Sequence, residues 1–168
     1  TFAHIVAPHE PFVFDKNGGI PLQDKINSPL KYFQQALFIN KQMMPLLDNI
    51  LNRSNPKPII IIQGDHGIPF TTTNQPTAQQ LKKSFSILNA YHFPEGGDKN
   101  LYGHITPVNS FRSVFNHYFG TKMELLEDKT YFPLTYTKKR RLISIPKESA
   151  LEKGDQAWVN HLKIEIHK

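Results

Sequence analysis

The sequence contains no cysteine among its 168 residues. This absence excludes disulfide bonds and thiolate metal ligands within the chain, and it does not identify the redox compartment. Long hydrophobic runs are also missing, since no stretch approaches the ~20 apolar residues that a membrane-spanning helix needs. The first residues lack the charged, apolar and small-residue segments of a signal peptide. Composition alone therefore indicates no membrane span and leaves the compartment open.

Acidic residues are fewer than basic ones, and the formal net charge is +6. The densest basic run is Lys138-Lys139-Arg140-Arg141. One interpretation is a nucleic-acid surface, because clustered basic residues attract phosphates. The run directly precedes the apolar residues 142–145, however, and no stacking-aromatic or recognition-helix motif accompanies it. This pattern is typical of a solvated turn before a strand, and we predict no nucleic-acid partner.

The most informative segment of the chain is an isoleucine run that ends at a carboxylate and an imidazole. Residues 59–62 are all isoleucine, which predicts a strand covered on both faces, as in a parallel sheet. In open α/β sheets, ligands bind beyond the carboxyl ends of such strands, where Asp65 and His66 lie. Neighbouring side chains on a strand point to opposite faces, so their convergence requires a break in strand geometry. We predict that Gly64 and Gly67 supply the conformational freedom for it.

An alternative interpretation of the same segment is purely structural. Asp65 would then cap a turn, and His66 would fill a neighbouring pocket.

The remaining pattern predicts alternating strands and helices. The chain starts at Thr1 with the strand-like Phe2 to Val6, so we expect it to be part of a longer protein. Ser28-Pro29 is a typical helix start. The apolar residues that follow recur with helical spacing on one face, and Pro45 is expected to kink or divide the helix. The residues of this predicted face are Leu30, Phe33, Leu37, Met44, Leu47 and Leu51.

Downstream of the isoleucine strand, the polar residues 67–80 predict a loop that is a candidate lid. A strand over Ser84 to Tyr91 follows, and Thr106-Pro107 begins a second amphipathic helix that ends at Gly120. Its predicted core face comprises Val108, Phe111, Val114, Phe115, Tyr118 and Phe119.

The order of these elements predicts an α/β fold, a layered α/β/α sandwich with a mostly parallel sheet. After Met123 the pattern is weaker. Short strands are predicted over residues 131–137 and 142–145, with a final helix or strand over residues 158–166. We treat residues 1–168 as a single domain.

Two further histidines could join Asp65 and His66 in a site. His4 and His9 lie five residues apart, and Pro8 and Pro11 restrict the backbone around His9. Neutral imidazoles and a carboxylate suit zinc, or manganese if oxygen ligands predominate. His4 could instead be a hydrogen-bonded core histidine.

Taken together, these motifs resemble a known family. Gly64-Asp65-His66-Gly67 after the isoleucine strand, with the upstream segment His4-Ile5-Val6-Ala7-Pro8-His9-Glu10-Pro11-Phe12, resembles the C-terminal part of the sulfatase-like branch of the alkaline phosphatase superfamily. That branch includes arylsulfatases, lipoteichoic acid synthases and phosphoethanolamine transferases. The resemblance covers roughly residues 1–120, and residues 105–112 support it.

The resemblance implies roles for individual residues. Asp65 and His66 correspond to ligands of a divalent metal ion, which would be zinc, manganese or calcium. His9 corresponds to the catalytic histidine that contacts the substrate. His4 matches a second histidine of the phosphoethanolamine transferases and would also bind the substrate. The full-length protein would hydrolyse or transfer a sulfate or phosphate ester. Its location would be extracytoplasmic, in a bacterial envelope, with membrane contact only through anchoring segments upstream of this chain.

The departures from the family pattern limit what the chain could do alone. The family's nucleophile and first acidic metal ligand lie in an earlier segment, which this chain does not contain. Formylglycine cannot arise without cysteine, and Ala78 stands where the phosphoethanolamine transferases place a further histidine. We therefore expect this chain alone to supply half of a metal and substrate site, with little or no turnover. The alternative is a non-catalytic α/β binding module that keeps the fold without the ion.

Overall fold

A computed structural model of the protein describes residues 1–21, 28–67, 77–134, 141–145 and 164–165. The chain divides into two compact units, Thr1–Pro58 and Ile59–Lys168. None of the helices in the described ranges combines the length and apolar character that a membrane span requires.

The first unit contains one long helix, α1, over Ser28–Arg53. The predicted start at Ser28-Pro29 is confirmed. The helix continues through Pro45, so the chain is not divided there. Residues 2–6, which were predicted as a strand, have no regular structure. An apolar, β-branched composition favours a strand, but a strand also needs a partner for its backbone groups, and none of the described residues pairs with this segment.

The side of α1 that packs against the preceding chain is not the predicted apolar face. Gln35 is only 1% exposed, and the Phe38 ring lies 4.9 Å from the Phe14 ring. Two residues turn a helix by about 200°, so Phe33 and Leu37 lie nearly opposite Gln35. Four of the six predicted core residues are between 41% and 59% exposed: Leu30, Phe33, Leu37 and Met44.

In the second unit, strand β1 (Ile60–Gln63) pairs with strand β2 (Asn89–His92) in antiparallel orientation. The described residues are therefore mixed α/β, and the prediction of a mostly parallel sheet is wrong. The isoleucine run predicted a strand buried on both faces, but Ile59 is exposed and residues 60–62 are only half-buried. Strand direction depends on the connecting chain and not on the run itself. That connection includes helix α2 over Ala78–Phe85. The predicted strand over residues 84–91 is thus helical at its start, and strand structure begins only at Asn89.

Local end signals locate the helices of this unit well. Thr77 forms a capping box with Gln80 at the start of α2. The polar-loop prediction is consequently wrong for residues 78–80, and residues 68–76 of the candidate lid lie outside the described ranges. A short 3₁₀ helix covers Gly97–Asn100.

Helix α3 spans Pro107–Phe119 and is followed by Gly120 in the left-handed conformation, with φ of 65°, as predicted. Its inner face is unexpectedly polar, however. Asn109, Ser110 and Ser113 are buried together with Val114. Four of the six predicted core residues are exposed: Val108, Phe111, Phe115 and Phe119.

The last strands form a second antiparallel sheet in the order β3, β4, β5. These strands are Thr130–Leu134, Arg141–Ile145 and Ile164–Glu165. The two short strands predicted after Met123 are confirmed over these ranges, and residues 135–137 of the first prediction lie outside the described part of the chain. Of the predicted final element, residues 158–163 and 166 lie outside the described part of the chain.

Candidate functional site

The Asp65–His66 turn directly follows β1 and is fixed at both ends by backbone hydrogen bonds. The Gly64 amide donates to the Leu88 carbonyl at 2.9 Å. The Gly67 amide donates to the Ser84 carbonyl at 2.6 Å. The first bond extends the β1–β2 pairing by one step, and the second ties the turn to the last turn of α2. The two candidate ligands therefore lie between anchored glycines.

Gly67 is required because space is lacking, not because of an unusual φ angle. A Cβ atom there would lie 2.1 Å from the Lys83 carbonyl oxygen and 2.8 Å from that of Ser86. Neither Gly64 nor Gly67 has a positive φ, so our explanation through conformational freedom is wrong. At Gly64, an added Cβ would meet its nearest neighbour, the Leu88 nitrogen, at an ordinary 3.6 Å. Of the two glycines, only Gly67 therefore occupies a position that has no room for a side chain.

The side chains of Asp65 and His66 converge despite their adjacency in sequence. His66 Nε2 lies 3.7 Å from Asp65 Oδ2, and the two side chains are 49% and 91% exposed. The His66 amide donates to Asp65 Oδ1 at 3.0 Å. His66 Nδ1 is 2.8 Å from the Gly67 carbonyl oxygen. Because a carbonyl only accepts, Nδ1 carries a proton, and a neutral ring in this orientation presents the lone pair of Nε2 beside the carboxylate.

His9 has the same ring arrangement in the other unit. Its Nδ1 lies 2.6 Å from the Glu10 carbonyl oxygen, so Nδ1 donates, and Nε2 is the acceptor of a neutral ring. The backbone is held as well, since the His9 amide donates to the Val6 carbonyl at 2.9 Å. His4 and Glu10 are exposed. The exposure of His4 argues against the alternative of a core histidine.

The structure brings Asp65 and His66 together in one unit and places His4 and His9 in the other. Within the described ranges, no group of three or more His, Cys, Asp or Glu side chains comes together. A zinc ion takes four ligands, typically nitrogen, sulfur or carboxylate oxygen atoms. Asp65 and His66 offer a carboxylate oxygen and an imidazole nitrogen, and the Gly67 carbonyl already orients the imidazole. The pair therefore fits part of such a coordination shell.

An open cavity of about 320 Å³ lies near the same end of the β1–β2 sheet. Asn89, one of its lining residues, pairs in register with Gln63, and its Oδ1 accepts a hydrogen bond from Gln63 Nε2 at 2.9 Å. No sequence motif pointed to this cavity. Its lining residues are Asn89, Tyr91, Leu101, Tyr102, Gly103 and Ile105.

A hydrogen-bonded cluster around Asp128 fixes the start of α3. Asp128 Oδ1 accepts from the Thr106 amide at 2.8 Å, from the Thr106 hydroxyl at 2.6 Å and from the Asn109 amide group at 3.0 Å. Its Oδ2 accepts from the Tyr102 hydroxyl at 2.5 Å. Burial raises the pKa of Asp128, but the hydrogen bonds from Thr106, Tyr102 and Asn109 outweigh burial and hold the pKa below its ordinary value. The carboxylate thereby caps α3 from a distant segment.

The fully buried Asn109 completes this cluster. Its amide group donates to the Leu126 carbonyl at 2.7 Å, and its side-chain oxygen accepts from the Leu126 amide at 3.0 Å. Burial raises the pKa of Tyr102, and the hydrogen bond to Asp128 raises it further. Sequence reasoning missed the cluster, because a polar residue among apolar ones does not show which distant backbone groups it will satisfy.

Comparison of the chain with protein-family models, with curated proteins and with solved structures found no match.

Proposed function

We propose that this chain supplies half of the metal and substrate site of a sulfatase-like enzyme that hydrolyses or transfers sulfate or phosphate esters. The observation that carries the proposal is the Asp65–His66 pair at the end of β1. A carboxylate oxygen and an imidazole Nε2 lie 3.7 Å apart. The ring is oriented through its other nitrogen by the Gly67 carbonyl. Histidine ligands of metals typically have such a second hydrogen bond.

In this proposal, Asp65 Oδ2 and His66 Nε2 bind a divalent ion such as zinc or manganese. The ion would lower the pKa of a hydroxyl nucleophile and neutralise charge on the ester oxygens. The nucleophile and the remaining ligands come from segments outside this chain, as does any membrane anchor of an extracytoplasmic protein.

His9 would contact the ester group of the substrate. When neutral, its Nε2 accepts a hydrogen bond, since Nδ1 is bound to the Glu10 carbonyl. When protonated, Nε2 donates to an ester oxygen or transfers a proton to the leaving group. Protonation adds a positive charge next to an anionic ester, so the same atom would both bind and activate it.

Calorimetric titration with zinc and with manganese tests the metal half of the proposal. We would compare the wild type with Asp65→Ala and His66→Ala above pH ~7, where an ordinary histidine is neutral. His104→Ala is the matched control, because His104 is an exposed histidine of the same unit. We expect both site variants to lose binding and the control to retain it. Equal affinity in all four proteins would contradict the proposal.

Catalysis is tested in a longer form of the protein with generic phosphate and sulfate esters. Turnover that Asp65→Ala abolishes and His104→Ala preserves would support the enzyme. Absence of both metal binding and ester turnover in the longer form would favour the non-catalytic binding module instead.

A further inference from the structure

The amide of Gln35 is buried at the point where α1 meets the segment that contains His9. Its Oε1 accepts hydrogen bonds from the Val13 amide at 2.8 Å and the Phe14 amide at 3.1 Å. Its Nε2 donates to the His9 carbonyl at 3.2 Å. One side chain thus satisfies three backbone groups of a loop that lies more than 20 residues earlier in the chain. Such a buried amide is costly to remove, because its partners are left without hydrogen bonds.

We infer that Gln35 is a positioning residue that sets the orientation of the His9 imidazole. The His9 amide is already bound to Val6, so the bond from Gln35 fixes the remaining polar group of the His9 backbone. The ring itself is oriented by the next carbonyl, that of Glu10, at 2.6 Å. Holding the His9 carbonyl restricts rotation of the peptide that leads to Glu10. The catalytic meaning of this role rests on the function proposed above for His9.

A second contact allows this role to be separated from simple attachment of the loop. Phe38 lies three residues after Gln35 and packs against Phe14 at 4.9 Å. It holds the far end of the loop through ring contact, whereas the His9 carbonyl is held by Gln35. Loss of the Phe38 contact should therefore loosen the loop without redirecting the imidazole. Loss of the Gln35 donor should redirect the imidazole while Phe14 remains packed.

The decisive variant is Gln35→Glu, which has nearly the same shape. Burial raises the pKa of a glutamate at this position and the Val13 and Phe14 amides lower it, so the comparison is made at pH ~9. The ionised carboxylate still accepts from both amides, but it has no proton to donate to the His9 carbonyl. Gln42→Glu is the matched control, because Gln42 is exposed on the same helix. Phe38→Leu serves as the variant that weakens attachment alone.

The first readout is the imidazole ¹⁵N spectrum of His9 in the full chain, which distinguishes protonation at Nδ1 from protonation at Nε2. We expect the Nδ1-protonated form to dominate in the wild type, in Gln42→Glu and in Phe38→Leu. Gln35→Glu should show a mixture of both forms. An unchanged spectrum in Gln35→Glu, or an equal change in Phe38→Leu, would overturn the inference.

The second readout is the affinity for inorganic phosphate, measured from the same His9 signals. We expect Gln35→Glu to bind about tenfold more weakly, as when one ordinary hydrogen bond is lost, and Gln42→Glu to match the wild type. Equal affinity in Gln35→Glu and wild type would overturn the link between position and binding. If the wild type does not respond to phosphate, the proposed role of His9 fails, while the ¹⁵N comparison still decides whether Gln35 positions the ring.

Discussion

The His9 loop and the Asp65–His66 turn present their imidazoles in the same way but are held differently. In both, Nδ1 donates to the carbonyl of the following residue, at 2.6 Å in His9 and 2.8 Å in His66. The His9 loop is fixed by the side chain of Gln35, from a distant helix. The turn is fixed by backbone bonds from its own glycines, to Leu88 and Ser84. We therefore expect different mutations to disturb the imidazole orientation in the two regions.

The largest effect is expected when the backbone support of the turn is blocked. Gly67→Ala places a Cβ 2.1 Å from the Lys83 carbonyl oxygen, so the turn or the end of α2 must move. We expect the free energy of unfolding in urea to fall by about 3 kcal/mol, the upper range for overpacking. His9 tautomer populations should remain unchanged.

Gly64→Ala is the control for this experiment. Its Cβ would meet the Leu88 nitrogen at 3.6 Å, an ordinary contact, so stability should change by less than about 1 kcal/mol. Equal destabilisation by the two substitutions would show that loss of glycine flexibility, and not the close approach at Gly67, sets the cost.

A smaller effect is expected from removing the side-chain support of the His9 loop. Gln35→Met keeps the length of the side chain but leaves the His9 carbonyl and the Val13 and Phe14 amides without their partner. We expect a loss of about 2 kcal/mol in the free energy of unfolding. Amide hydrogen exchange should accelerate at Val13 and Phe14.

The exchange measurement also separates the two regions. The Gly64 and Gly67 amides should keep their protection in Gln35→Met, and Gln42→Met should leave all four amides as in the wild type. Faster exchange at Gly67 in Gln35→Met would contradict the separate supports that we describe.

The elements that the sequence predicted correctly are those that local chemistry determines. Pro107 and Gly120 mark the two ends of α3, because a restricted φ and a left-handed residue act within one helical turn. The Thr106 side chain makes no capping bond and donates to Asp128 instead. The end of the isoleucine strand before Asp65 and His66 was also predicted from neighbouring residues. The antiparallel partner of that strand depends on the chain up to residue 92, which no short pattern encodes.

The buried faces of the helices were not predictable in the same way. Apolar periodicity shows which side of α1 or α3 is suited to burial, yet Phe33 and Phe111 are exposed. The buried positions belong to Gln35 and Asn109, whose amides satisfy backbone groups from distant segments. A sequence pattern contains no record of those partners. The position of Asp65 and His66 at the end of the isoleucine strand was therefore predictable, and the residues that support the candidate site were not.

The smallest expected effect concerns a third kind of support, the charged cap of α3. The pKa of Asp128 is lower in the folded protein than its ordinary value, because hydrogen bonds from Thr106, Tyr102 and Asn109 outweigh the opposing effect of burial. This stabilisation is complete above the ordinary pKa of 3.8 and is lost as the pH falls through the lower folded value. We expect Asp128→Asn to reduce stability at pH ~6 by about 1 kcal/mol or less, because the carboxylate is partly exposed.

The pH dependence distinguishes this cap from the two uncharged supports. Urea unfolding between pH ~6 and ~3 should show a shallower loss of stability in Asp128→Asn than in the wild type, because the variant lacks the titrating group. Gln35→Met should lower stability by the same amount at every pH in this range, since neither side chain titrates. Parallel pH profiles for wild type and Asp128→Asn would mean that the hydrogen bonds to Asp128 stabilise α3 equally well without its charge.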